Sequence, residues 1–129
     1  MFRLDPGLTV FEQTERFNAS HLAEHELKSI LNRYLFPYET WDKPCFCLSG
    51  GEKIRLLFCC LMIGNNAPDV FILDEPTNNL DIQSVEIITA AIKSYRGTVL
   101  LISHDHYFVK EIKINRSIKL FDTGSVIKI

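Results

Sequence analysis

Two short strand-like runs separated by a helix-length segment constrain the fold of this chain more than any other sequence feature. The runs are Val70–Leu73 and Thr98–Ile102, and neither shows polar alternation, which is typical of strands covered on both faces of a sheet. A helix is predicted between them, over about 82–95, with Asp81 as its N-cap and Gly97 as its C-terminal stop. Strand, helix and strand in this order predict parallel pairing and a right-handed crossover.

The first half of the chain carries the apolar periodicity of helices instead. One helix is predicted over Asn18–Phe36. Its N-cap is expected to be Asn18 or Ser20, and Pro37 ends it. A second is predicted over Gly50–Ile63, and the segment 38–47 between them follows neither period and is predicted to be a loop. Beyond the second strand we predict a short helix near 106–112 and a hairpin formed by 117–121 and 125–129.

The composition excludes several classes of protein. With 47% apolar and 23% charged residues, the 129-residue chain is typical of a soluble globular domain or part of one. Its formal net charge of -2 provides no bulk attraction to nucleic acid, and no apolar run is long enough for a membrane helix. The four cysteines, at 45, 47, 59 and 60, match no common zinc spacing and are interpreted as reduced thiols serving as small apolar residues.

Polar residues follow both predicted strands directly. Asp74 and Glu75 end the first strand and His104 follows the second, and an open α/β sheet binds ligands beyond the carboxyl ends of its strands. There, one carboxylate can help to hold Mg²⁺ and the next can orient or deprotonate an attacking water. An imidazole beside them can donate a hydrogen bond to a phosphate oxygen or to that water. A purely structural strand end and turn is the alternative.

A second phosphate-binding pattern precedes the Gly50–Ile63 helix. Ser49, Gly50 and Gly51 open the helix, where two glycines allow backbone N–H groups to approach an anion and the helix dipole favours negative charge. Ser49 and Glu52 also stand in the register of a capping box, so plain helix capping is the alternative.

The order and spacing of these strings resemble ABC ATPases, and more closely the ABC-F subfamily of soluble tandem-cassette proteins. Residues 75–81, E-P-T-N-N-L-D, are similar to the ABC-F string E-P-T-N-H-L-D, and residues 48–56, L-S-G-G-E-K-I-R-L, resemble the signature of its second cassette. Further matching stretches are 4–10, 97–105 and 107–108. Asn79 stands in place of the usual histidine and His106 in place of a usual arginine.

The resemblance implies a role for each matching residue. Ser49, Gly50 and Gly51, with Glu52 in the same loop, would contact the γ-phosphate of ATP held by an opposing cassette. Asp74 would support Mg²⁺, Glu75 would be the general base and His104 the switch histidine. Asp81 would belong to the D-loop, which couples the two nucleotide sites.

The sequence contains no G-x-x-x-x-G-K-S/T phosphate loop, known as Walker A. The fold class expected from the resemblance is therefore a P-loop NTPase fragment of the α/β class, with a helical subdomain over 1–66 and the C-terminal part of the parallel-sheet core over 67–129. The family sheet places the Walker A strand beside the strand Thr98–Ile102. We expect this strand to expose an unpaired edge here, and the isolated chain to self-associate.

The implied function is that of a cytoplasmic ATPase segment that pairs with an opposing cassette and acts on the ribosome, as a translation factor or an antibiotic resistance factor. The alternatives are a nucleotide-binding subunit of an ABC transporter, a DNA-repair or chromosome ATPase, and a non-enzymatic product that only binds a partner cassette. Glu52-Lys53 and the 78–81 run favour ABC-F over a transporter, and the absence of a sustained heptad repeat disfavours the DNA-repair class. Without Walker A, we expect the isolated chain to hydrolyse ATP negligibly.

Overall fold

The computed structural model describes residues 3–64, 68–119 and 126–128, which divide into two compact units, Met1–Ala67 and Pro68–Ile129. That these units are the helical subdomain and the core part of an ABC cassette remains a prediction. In the first unit, the helices are α1 (Val10–Arg16), α2 (Glu24–Arg33) and α3 (Gly50–Ile63), with single 3-10 turns at Tyr38–Thr40 and Cys45–Cys47. In the second unit, the elements are β1 (Val70–Asp74), α4 (Ile82–Ser94), β2 (Thr98–Ile102), α5 (His106–Glu111), β3 (Ser117–Lys119) and β4 (Val126–Lys128).

Helix α1 was not among the predicted elements. It starts at a capping box in which the Thr9 side chain accepts from the Glu12 N–H at 3.2 Å and the Glu12 carboxylate accepts from the Thr9 N–H at 2.8 Å. This Thr-x-x-Glu spacing is the sequence signal that identifies the helix start. Val10, on the inner side of α1, is fully buried in the core of the first unit.

The prediction of one helix over Asn18–Phe36 is wrong at both ends, because α2 covers only Glu24–Arg33. Asn18 is not its N-cap: the Asn18 amide instead accepts from the Leu22 N–H and donates to the Leu22 carbonyl, both at 2.9 Å. These local bonds stabilise a turn that competes with helix. At the other end, Leu35 adopts a left-handed backbone, with φ of 61°, which stops the helix before Pro37.

Helix α3 confirms its predicted bounds. The capping box predicted at its start is present, since the Ser49 side chain accepts from the Glu52 N–H at 3.2 Å and the Glu52 carboxylate accepts from the Ser49 N–H at 3.0 Å. The helix packs into a core shared with α1 and α2, and the loop 38–47 closes over it. Buried core residues of this unit are Val10, Leu27, Leu31, Phe36, Cys45, Leu48, Leu56, Cys59, Cys60 and Ile63.

The sheet of the second unit confirms the predicted parallel pair and the hairpin. Strands β1 and β2 pair in parallel from Val70 opposite Thr98 to Asp74 opposite Ile102. Strands β3 and β4 pair antiparallel, while the turn predicted at 122–124 lies outside the described residues. Among the described strands the order is β1-β2-β4-β3.

Two expectations about this sheet are wrong. Strand β1 is not covered on both faces, because Val70 and Ile72 are 54% and 66% exposed while the intervening Phe71 is half-buried. Strand β2 is not an unpaired edge along its whole length, because β4 pairs with it at Leu101 and Ile102, although not with Thr98–Leu100. The antiparallel β3–β4 hairpin supplies that neighbour. Strand β1 lies at the other edge of the described sheet.

Candidate functional site

The predicted carboxylate and histidine meet at the carboxyl ends of β1 and β2. The His104 Nε2 atom lies 3.4 Å from Oε1 of Glu75, and the His104 backbone N–H donates to Oε2 of Glu75 at 3.3 Å. The Glu75 side chain is 21% exposed and that of His104 is 75% exposed. Oε1 itself is buried without a hydrogen-bond donor among the described residues. This oxygen is therefore desolvated, and the His104 imidazole lies beside it.

Strand pairing positions this carboxylate. The Glu75 N–H donates to the Ile102 carbonyl at 2.8 Å, which continues the β1–β2 ladder one residue beyond Asp74. Glu75 then takes a left-handed backbone with φ of 46°, a strained conformation for a residue with a Cβ. The change of backbone direction ends the strand and places the side chain against the first residues after β2.

The segment between Glu75 and α4 is a succession of tight turns. The Asn78 N–H donates to the Glu75 carbonyl at 3.1 Å and the Leu80 N–H donates to the Thr77 carbonyl at 3.2 Å. Asn79 has φ of 60°, and asparagine tolerates the left-handed region better than most residues do. Asp81 caps α4 by accepting from the Ser84 N–H at 2.7 Å. Its predicted D-loop role stays a prediction beside this capping role.

A second link between the two strand ends was missed by the sequence reasoning. The Thr77 hydroxyl lies 3.5 Å from Oδ2 of Asp105, while Oδ1 of Asp105 accepts from the Phe108 N–H at 3.0 Å as the N-cap of α5. One carboxylate thus starts α5 and contacts the turn that follows Glu75. The available sequence signal is an aspartate three residues before the first buried residue of a predicted helix.

The signature-like loop lies in the first unit. Oε2 of Glu52 accepts from the Ser49 N–H at 3.0 Å and from Nζ of Lys43 at 3.3 Å, so this carboxylate is engaged within the chain. The Ser49 hydroxyl oxygen accepts from a backbone N–H and keeps its own proton for another acceptor. Lys43 was not predicted as a site residue. It reaches Glu52 because the loop 38–47 lies beside the start of α3.

Packing within the described residues does not require a glycine at position 50. An added Cβ at this position would have no heavy atom within 4 Å. The glycine therefore leaves open space above the N-terminus of α3, where a bulky anion can approach the backbone N–H groups. Ser49, Gly50 and the helix start fit a phosphate group in this respect.

Arg55 of α3 forms hydrogen bonds with the residues that follow α2. Its Nη1 donates to the carbonyls of Tyr34 and Leu35, at 3.0 Å each, and its guanidinium lies 5.1 Å from the centre of the Phe36 ring. The residue is only 8% exposed. An arginine among the apolar residues of a predicted buried helix was the signal for this contact, and the sequence reasoning did not use it.

Asp74 is the last residue of β1 and is exposed. No group of three or more His, Cys, Asp or Glu residues in the described parts of the chain could by itself hold a metal ion. A single carboxylate still fits Mg²⁺, which usually keeps several waters and binds through one or two carboxylates together with substrate phosphates.

Three of the four cysteines occupy the core of the first unit. Cys45, Cys59 and Cys60 are buried, whereas Cys47 is exposed. Burial raises the pKa of Cys59 to about 12. No helix in the described ranges has the length and apolar character needed to cross a membrane.

Comparison with known proteins identifies relatives of this chain. The family model for the ABC transporter family matches residues 2–78. ABC transporter F family member 5 of Arabidopsis thaliana is 45% identical over 119 residues, which is 92% of this chain and 17% of the relative. The probable ATP-binding protein YbiT of Escherichia coli O157:H7 is 40% identical over 111 residues, 86% of this chain and 21% of the relative. The chain thus spans about a fifth of the length of these curated relatives.

Among solved structures, the dimeric MJ0796, a bacterial ABC transporter cassette, matches with a TM-score of 0.63 and 22% identity, over 85% of this chain and 52% of the cassette. This likeness shows the fold, which is that of P-loop NTPases of the ABC type, with a parallel strand pair as in the sequence prediction. The resemblance to ABC-F proteins seen in the motifs is confirmed by the relatives. The chain therefore belongs to the ABC transporter family of ATP-binding cassettes, with ABC-F proteins as its relatives.

Proposed function

We propose that this chain is the signature-to-histidine segment of an ABC-F ATPase, which hydrolyses ATP between two opposing cassettes. The observation that carries the proposal is the approach of the His104 imidazole to Glu75 at 3.4 Å, at the carboxyl ends of two paired parallel strands. That is where α/β sheets bind their ligands. The relative YbiT, a probable ATP-binding protein, supports the choice of ATP as the substrate.

In this proposal Glu75 is the general base. Its carboxylate lies at the carboxyl ends of β1 and β2 beside the His104 imidazole, and as a general base it would orient a water and take its proton. His104, mostly exposed, donates a hydrogen bond to the phosphate or to that water. When bound, Mg²⁺ neutralises charge on the phosphate oxygens, and Asp74 would help to hold it.

The signature loop acts on the nucleotide of the other cassette. Ser49 would donate its hydroxyl proton to a γ-phosphate oxygen, and the N–H groups that follow Gly50 and Gly51 would complete the anion site. Glu52 would shape this loop rather than touch the anion, because its carboxylate is engaged by Ser49 and Lys43. Asp81 would couple the two nucleotide sites through the turn between Glu75 and α4, which ends at Asp81.

The wider setting follows from the ABC-F relationship. We propose cytoplasmic action on the ribosome, with ATP-driven closure and opening of two cassettes. The solved bacterial cassette is described as dimeric, which supports an opposing cassette as the partner. Translation factor and antibiotic resistance factor both fit this setting.

For the 129-residue chain alone we propose negligible ATP hydrolysis. Its sequence holds no phosphate-cradling loop with the lysine that neutralises the nucleotide. Stoichiometric, tight ATP binding by the purified chain, measured by calorimetry, would contradict this part of the proposal.

The sharpest test of the catalytic part is a chimera. In Arabidopsis ABC transporter F family member 5, this chain replaces the segment that matches it, and steady-state ATP turnover is measured for the chimera and for its Glu75→Gln and Ser49→Arg variants. We expect Glu75→Gln to lower turnover by roughly a hundredfold or more with ATP binding retained, because the base is lost and the binding groups are not.

Ser49→Arg should lower turnover through the opposing site, since it places bulk and charge where the phosphate approaches. Arg33→Gln, an exposed change on α2, is the matched control and should leave turnover unchanged. Turnover by the Glu75→Gln chimera at the rate of the unsubstituted chimera would refute the assignment. Co-sedimentation of the chimera with ribosomes tests the proposed site of action separately.

A further inference from the structure

A hollow of about 430 Å³ lies beside α5 and apart from Asp74, Glu75 and His104. One wall is α5, which contributes three residues spaced about one helical turn apart, His106, Val109 and Lys110, and the other is the segment that follows this helix. Val109 and Ile114 provide apolar surface. The polar residues that line the hollow are His106, Lys110, Lys113, Asn115, Arg116 and Ser117.

The charge in this hollow has one sign. No acidic residue is among the described residues that line it, and three of them carry a full positive charge. Residues 106–119 contain four lysines or arginines and one acidic residue, Glu111. Glu111 is directed to α4, where its carboxylate lies 4.0 Å from Nζ of Lys93. Within the described residues, Lys110, Lys113 and Arg116 form no ion pair.

The backbone turn beside the hollow has a lysine at a left-handed position where glycine is usual. Lys113 follows the end of α5 with φ of 56°, in the left-handed region where helices normally place glycine. Its N–H donates to the Lys110 carbonyl at 3.2 Å, which closes the turn. The left-handed residue reverses the chain, so that Arg116 comes to line the same hollow as Lys110. A strained lysine at a position that glycine would occupy without strain is an observation that points to a function of the side chain.

We propose that this hollow binds phosphate groups, either of a free polyphosphate or of a nucleic-acid backbone. Three cations, an amide and a hydroxyl match an oxyanion with more than one charge, and Arg116 offers the planar fork that binds phosphate through two parallel hydrogen bonds. A single carboxylate would leave two of the cations without a counter-charge. The chain's net charge of -2 does not prevent this, because the positive residues are concentrated locally.

The test uses the whole 129-residue chain without added metal and two probes. Tripolyphosphate binding is measured by isothermal titration calorimetry, and binding of fluorescein-labelled oligouridylate is measured by anisotropy over a range of salt concentrations. For three phosphate contacts, we expect the slope of log affinity against log salt concentration to be about −2 for the single-stranded oligouridylate. Competition between the probes shows whether both occupy one site.

The variants are Lys113→Gly and Arg116→Gln, with Arg33→Gln on α2 as the control of equal charge change. Lys113→Gly suits the left-handed turn, so a retained or raised melting temperature shows that any loss of binding is not caused by unfolding. Each hollow variant is expected to weaken binding by about two- to fivefold and to reduce the salt slope for the oligonucleotide by about 0.7.

Binding of tripolyphosphate alone would assign the hollow to free polyphosphate, and binding of oligouridylate alone would assign it to a nucleic-acid backbone. Both results support the proposal if the hollow variants are weakened and Arg33→Gln is not. No measurable binding of either probe, or equal affinities for all three variants and the unsubstituted chain, overturns it.

Discussion

The Nε2 atom of His104 lies 3.4 Å from Oε1 of Glu75, and this contact joins the ends of two neighbouring parallel strands. A backbone N–H holds the other carboxylate oxygen of Glu75. The two oxygens therefore differ: one is anchored, and the other is buried with no hydrogen-bond donor among the described residues. Such a carboxylate is oriented by the protein at the strand ends, with one oxygen held by a backbone N–H and the other beside the imidazole.

Gly50→Ala should raise the stability of the chain. Nothing lies within 4 Å of an added Cβ, and alanine is favoured over glycine in a helix by about 1 kcal/mol or less at this first position. We expect urea denaturation to show an increase of up to about 1 kcal/mol in the free energy of unfolding, while ATP turnover of the chimera falls. A clear loss of stability would show that the glycine is required by packing and not by a ligand.

Glu75→Gly tests whether the strained base is retained at a cost to folding. Glycine relieves a left-handed backbone worth about 1 kcal/mol, which offsets the loss of the imidazole contact and of the long hydrogen bond from the exposed His104 N–H, together worth about 1 kcal/mol. We expect unchanged or slightly higher stability. Glu86→Gly, on the exposed side of α4, is the control and should lose about 1 kcal/mol. Equal losses for the two variants would show that the backbone at Glu75 is not strained.

Arg55→Met should be one of the most destabilising single changes in the first unit. It leaves the carbonyls of Tyr34 and Leu35 without their donor, which costs roughly 2–4 kcal/mol in all. Arg55→Lys should recover only part of this, because a lysine lacks the guanidinium plane that stacks on Phe36. Thermal and urea denaturation measure both variants, and Arg33→Met, which is exposed, should stay within about 0.5 kcal/mol.

Self-association of the isolated chain is expected at β1. This strand lies at the edge of the described sheet, and Ile72 is 66% exposed on its open face, a combination that templates pairing with another chain. Light scattering should show a molar mass that rises with concentration and falls towards the monomer in Ile72→Lys. Met62→Lys, a change of equal kind on α3, should behave like the unsubstituted chain. A monodisperse monomer at every concentration would rule out this expectation.

The cysteines should differ sharply in reactivity. Cys47 is exposed, while Cys45, Cys59 and Cys60 are buried. Burial raises the pKa of Cys59 from its usual value of 9.0 to about 12, so its thiol stays protonated in the folded chain. Mass spectrometry after iodoacetamide treatment should find one labelled site in the native chain, absent in Cys47→Ser. Labelling of Cys59 at the rate of Cys47 would contradict the burial.

The raised pKa of Cys59 makes the free energy of unfolding depend on pH in the alkaline range. Because the folded pKa of Cys59 lies above the unfolded value, the folded chain binds the extra proton between these two pH values. The stabilising contribution is fully present below pH 9.0 and is lost progressively as the pH rises towards about 12. Cys59→Ala should flatten this part of the alkaline unfolding curve.

Local patterns predicted α3, the two parallel strands and the C-terminal hairpin well. Each is specified by short-range chemistry: a capping box at Ser49 and Glu52 for the helix, and strand-forming runs bounded by turn residues for the strands. The two failed helix predictions have equally local causes. The capping box at Thr9 was overlooked, and the side-chain bonds of Asn18 to Leu22 stopped a periodic segment from continuing as helix.

The sequence by itself determined which residues are candidates for the chemistry, because Asp74, Glu75 and His104 directly follow strands whose apolar runs are readable in one dimension. Only the tertiary structure decided what these residues contact. The 3.4 Å approach of His104 to Glu75 depends on the parallel register of β1 and β2, which are separated by a whole helix in the chain. The pairing of β4 with β2 likewise joins strands that are far apart in the chain. Contacts between residues far apart in sequence depend on the three-dimensional packing of both partners, and no local pattern contains that information.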